Sequence, residues 1–131
     1  MNYLCLIYYD EQRVDAMTDE QWHALVARCL SCGEELRASG HMLAGEPLQS
    51  VRTARTVRVR DGVTSVVDGP FAETRELVAG YWLWEVKDMD EAVEWVKRCP
   101  NPMPGPSEIE IRPIYEMEDF GDALTPEARK L

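Results

Sequence analysis

What the chain lacks bounds it first. No segment approaches the roughly 20 consecutive apolar residues that a membrane-spanning helix requires. The opening stretch MNYLCLIYYDEQ has an apolar run too short for the core of a signal peptide and no basic flank before it. Cytoplasm is therefore the expected compartment, and a reducing one, in which the four cysteines are expected to be free thiols. A surplus of basic residues is missing as well: the net charge is −10, which argues against nucleic acid as a partner. The one basic stretch, Arg52, Arg55, Arg58 and Arg60, lies on a predicted strand and its approach. Arg58 and Arg60 share a face there, read as a solvated face in preference to an anion site. No GxGxxG, phosphate-binding loop or GxSxG elbow occurs, so no nucleotide cofactor and no serine triad is expected. Nor is a metal: Cys29-Leu30-Ser31-Cys32 is a CxxC, but no second CxxC or HxxxH supplies the other half of a zinc site.

What remains is ordinary for a globular domain, with 45% hydrophobic and 29% charged residues in 131 positions. A chain of this size buries about two thirds of its unfolded surface and needs no disulfide or metal to fold. Residues Tyr3 to Tyr9 are apolar on both faces and read as a central strand. A polar connection follows. Thr18 with Gln21 three residues on makes a capping box, with Met17 and Trp22 placed to close a hydrophobic staple. Trp22, Leu25, Val26, Cys29, Gly33 and Leu36 then recur at helical spacing as one apolar stripe, and Gly40 supplies a left-handed cap.

HMLAGEPLQ is a short strand broken by Gly45 and Pro47, hence an edge. Ala54 to Arg60 and Val63 to Val67 alternate around Asp61-Gly62, which predicts a hairpin. Asp68-Gly69-Pro70 ends that arm, and Gly80 to Val86 is an aromatic strand with Trp82 and Trp84 on one face and Tyr81 on the other. A second helix begins near Asp88, with Glu91 three residues on and Met89, Ala92, Val93, Val96 and Cys99 on its apolar face. The prolines from Pro100 to Pro106 stop it, and Glu108 to Tyr115 alternates as a last strand. The order predicts an α+β fold: a ferredoxin-like split βαβ with an inserted β-hairpin, both helices on one face of a mainly antiparallel sheet. Two helices cover one face only, so the other is expected to meet a second copy, with a cavity near the seam. Residues 1–118 form the expected domain and residues 119–131 a peripheral tail, or one that covers the partner subunit.

The block VRVRDGVTSVVDGPFAETRE, followed by GYWLWEV, resembles the DGPF-type branch of the YCII-related proteins. GEELRASGHMLAGEPLQ before it and EIEIRPIYEMEDF near the end share the resemblance, which covers roughly residues 1 to 120. It implies a dimeric α+β barrel. It also implies a cleft holding a His and an Asp; the helix position matching that His falls near Cys29, with His23 about two turns earlier. A link to a transcription regulator is a further implication.

The candidate site residues follow. Asp68 is either a general base or ligand anchor beside a cleft, or the cap of its own turn. Phe71 is a wall of the core or pocket, and Glu73 is a rim residue or part of a solvated loop. Glu46 makes a paired-carboxylate site if it turns toward Asp68. His41, at the start of a strand, and Arg112, on the last strand, complete the set. His23 reads as a surface residue, and the CxxC thiols as buried structural cysteines. The leading reading is a homodimer that binds a small molecule near the DGPF turn. The rivals are an enzyme using Asp68 as acid or base without metal or nucleotide, and a regulatory partner protein.

Overall fold

The computed structural model describes residues 1–70, 76–99, 105–123 and 125–127. Among the described residues, six strands and three α-helices follow one another as β1 (Asn2–Asp10), α1 (Glu11–Asp15), α2 (Asp19–Ala38), β2 (Met42–Pro47), β3 (Arg55–Arg60), β4 (Val63–Asp68), β5 (Glu76–Glu85), α3 (Met89–Arg98) and β6 (Ile109–Pro113). Four strands form one sheet in the order β2-β5-β1-β6, with every neighbouring pair antiparallel. That order is the ferredoxin-like split βαβ. The stretch that is apolar on both faces, β1, sits in the interior of the sheet. The proline-interrupted β2 is an edge, as Pro47 requires.

Local chemistry accounts for the element ends. The Thr18 hydroxyl accepts from the Gln21 N–H at 3.2 Å while the Gln21 side chain accepts from the Thr18 N–H at 2.9 Å, a closed capping box. Gly40 follows α2 with φ +80° and donates its N–H to the Arg37 carbonyl at 3.1 Å. At the start of α3, Asp88 accepts from the Glu91 N–H at 2.9 Å. The polar connection expected after β1 is partly helical: Asp10 accepts from the Gln12 N–H and caps the one-turn α1.

The core lies between the helices and one face of the sheet. Tyr3, Cys5 and Trp84 from the strands meet Leu36 of α2 and Ala92, Trp95 and Cys99 at α3, all buried. Ile109 and Ile111 of β6 pack against this cluster, as their alternation predicts. Trp82 and Trp84 share that face, their rings stacked at 5.2 Å and 18°. At Gly80, paired with Pro47 of β2, an added Cβ would fall 2.8 Å from the Glu46 carbonyl oxygen, so no side chain fits.

Three expectations are corrected. The stripe on α2 is narrower than its spacing implied: Leu25, Gly33 and Leu36 are buried, but Trp22 is 46% exposed and Cys29 is also exposed. Cys29 is therefore not a buried structural thiol. Nor are all four thiols free, because Cys32 of α2 is disulfide-bonded to Cys99 at the end of α3, their Cα atoms 5.8 Å apart.

β3 and β4 form a separate two-stranded sheet. The turn between them has both residues at positive φ, Asp61 at 51° and Gly62 at 77°, the geometry that suits the twist of a tight hairpin. Val57, Val59, Val63 and Val66 on this arm are each more than 60% exposed.

Candidate functional site

The face of the four-stranded sheet turned away from α2 and α3 is where the fold leaves chemistry accessible. Residues paired across a ladder point to the same face, so the register defines its rows. One row runs Ala44, Leu83, Leu4, Arg112 across β2, β5, β1 and β6; the next runs Glu46, Tyr81, Leu6, Glu110. Leu4, Leu6, Tyr81 and Leu83 are half-buried, in contrast to Tyr3, Cys5 and Trp84 on the helix side. The face thus has an apolar centre bounded by a carboxylate at one edge and a carboxylate–guanidinium pair at the other. Glu46 and the β6 residues are three strand spacings apart, about 14 Å.

The β6 edge is organised by hydrogen bonds. Tyr8 donates its hydroxyl to Glu110 Oε2 at 3.1 Å, and Arg112 Nε lies 3.7 Å from Glu110 Oε1. Desolvation first, then the hydrogen bond to the Glu110 carboxylate and its charge, raise the Tyr8 phenol above its ordinary value. Tyr8 therefore remains a donor through neutral and mildly alkaline pH. Such an edge can orient a polar group of a ligand lying on the leucine floor.

Of the six residues singled out from sequence, Glu46 and Arg112 come to this one face, at its opposite rims. His41 stands elsewhere, at the start of β2 beside α3. Its Nδ1 is 3.0 Å from the Glu85 carbonyl and its Nε2 3.4 Å from Glu91 Oε1, and its ring meets Trp95 edge-on at 5.5 Å. Those contacts fasten α3 to the strand end. Asp68 ends β4 on the hairpin, its side chain 92% exposed and 3.5 Å from Arg55 Nε. Among the described residues its ion-pair partner is Arg55. Phe71 and Glu73 lie outside the described residues. Sequence reasoning passed over Tyr8 and Glu110. The signal for Glu110 was present, since a polar residue between Ile109 and Ile111 must face away from the core.

The basic stretch is partly neutralised within the chain: Arg52 binds Asp15 at 3.0 Å and Glu11 at 3.8 Å, and Arg55 binds Asp68. Among the described residues no helix is long and apolar enough to cross a membrane.

The antiparallel βαβ–βαβ sheet with its helices on one side defines an α+β domain of ferredoxin-like architecture. The sequence profile of the YCII-related domain matches residues 1–118. An uncharacterised protein of Rhizobium meliloti (strain 1021), R00369, is 30% identical over 114 residues, covering 87% of this chain and 92% of the relative. The chain belongs to the YCII-related family.

Proposed function

We propose that the protein is a homodimer that binds a small molecule against the open face of its sheet. The observation that carries this reading is the open face itself: Leu4, Leu6, Tyr81 and Leu83 between Glu46 and the Tyr8–Glu110–Arg112 edge. An apolar floor with few polar groups at its rim is the usual make-up of a small-ligand site, and a second sheet supplies the missing roof. The exposed valines of the hairpin favour the same assembly, because a two-stranded ribbon is marginal in water until something covers it. Asp68, exposed in the single chain, enters a site only if the partner subunit closes over the DGPF turn, and a role as acid or base depends on that closure.

Native mass spectrometry of the protein as purified tests the reading. The expected result is a dimer that carries a discrete extra mass, lost in the double substitution Glu46→Gln, Glu110→Gln while the dimer persists. A monomer at micromolar concentration counts against the assembly. A bare dimer whose melting temperature no metabolite mixture raises counts against the ligand.

A further inference from the structure

The CxxC segment plays no part in the reading above, yet the structure places it in a cleft of about 400 Å³ between α2 and α3. Cys29, Cys32 and Cys99 all line this cleft, together with Arg28, Arg98 and Trp82. We propose that the Cys32–Cys99 bridge is a thiol–disulfide exchange site that takes a small anionic thiol in this cleft.

Accessibility selects the sulfur that is attacked. Cys99 is 2% exposed whereas Cys32 is half-buried, so an incoming thiolate reaches Cys32 Sγ. The nucleophile comes from outside. Burial pushes the Cys29 thiol up, and the charge of Arg28 only partly offsets this, so Cys29 stays protonated at neutral pH. Cys5, pushed up to about 12 by burial, is inert. On the wall, Arg98 is engaged by the Glu35 carboxylate and lies 4.5 Å over the Trp95 ring. Among the described residues of the wall, Arg28 is the cation left to meet an anionic ligand.

In the first step the ligand thiolate attacks Cys32 Sγ. A mixed disulfide forms on Cys32, the Cys32–Cys99 bond breaks, and its electron pair leaves on Cys99 sulfur, which takes a proton from water. A second ligand thiolate then attacks the ligand sulfur of the mixed disulfide. The ligand departs as its own disulfide and Cys32 leaves as thiolate, protonated in turn. Two electrons pass from two ligand thiols to the bridge. The bridge joins positions 67 residues apart, so its opening removes the covalent tie between the end of α3 and α2.

The experiment uses the full chain purified in air without reductant. Trypsin cuts after Arg28, Arg37 and Arg98, so Cys29 and Cys32 share one peptide and Cys99 begins another. Mass spectrometry is expected to find these two peptides cross-linked before treatment. In a Cys29→Ser background, reduced glutathione is expected to give a mixed disulfide on the first peptide and an alkylatable Cys99. Arg28→Glu is expected to slow that reaction roughly fivefold, the order of inverting one exposed charge beside an anionic reactant, and to leave reduction by uncharged 2-mercaptoethanol unchanged. The proposal is overturned by the absence of the cross-link, by a bridge that stays intact under reduced glutathione, or by equal glutathione rates with and without Arg28.

Discussion

The two faces of the four-stranded sheet are built from the same strands by alternation, and they differ sharply in fate. On the helix side Tyr3, Cys5 and Trp84 are at most 3% exposed; on the other, Leu4, Leu6, Tyr81 and Leu83 keep partial contact with water. The first face is filled by its own chain and carries the stability of the fold. The second is apolar but only half-buried, and its polar groups stand at the rims. The difference separates residues that hold the domain together from residues left for another molecule.

Substitutions on the two faces break or sharpen that contrast. The largest effect is expected on the covered side. Trp84→Ala removes a side chain with no exposed surface and should cost about 3–5 kcal/mol in urea unfolding, whereas Leu83→Ala, its neighbour facing the other way, should cost the isolated subunit well under half of that. Equal losses would mean that both faces are packed alike. Next, Leu6→Glu should leave the circular dichroism spectrum native and convert a dimer to a monomer in sedimentation velocity. The same charge at Cys5, one residue away, should prevent folding.

Smaller effects probe the edges. Thr18→Ala opens the capping box of α2 and is expected to lower stability by about 1 kcal/mol. Tyr8→Phe, on the open face, should change stability by less than about 1 kcal/mol. It should also remove one late-ionising phenol from an ultraviolet pH titration. The sign of the linkage is set by the raised value. The folded state favours the protonated phenol, so its contribution is complete below the ordinary tyrosine range and fades as pH climbs through the folded value. Wild-type stability should therefore fall more steeply than that of Tyr8→Phe at high pH.

Most of the architecture was legible because short-range chemistry specified it. Thr18 with Gln21 and Asp61-Gly62 are signals in which backbone hydrogen bonds and allowed dihedrals leave little choice. Strand alternation likewise sorted Trp82 and Trp84 from Tyr81. What sequence did not carry was which part of a periodic stripe meets the sheet. Trp22 and Cys29 have the right spacing, but α2 covers the strands only over part of its length. Trp95 was missed as core because it stands between Glu94 and Val96 in a charged stretch, although it lies three residues from Ala92 and four from Cys99. The Cys32–Cys99 pairing depends on how the helices dock, which spacing alone does not determine. For the site, the edge residues Glu46 and Arg112 were found by residue type, yet their placement on one face needed the register.

The position of β1 has a consequence for how the molecule is made. Both strands that flank it, β5 and β6, are translated far later than β1 itself. A nascent chain must therefore carry this apolar segment with both edges unpaired until β5 has emerged, and with one edge unpaired until residue 113 has. Contacts this distant along the chain make folding slow and leave the growing polypeptide exposed to chaperones and to its neighbours on the same message.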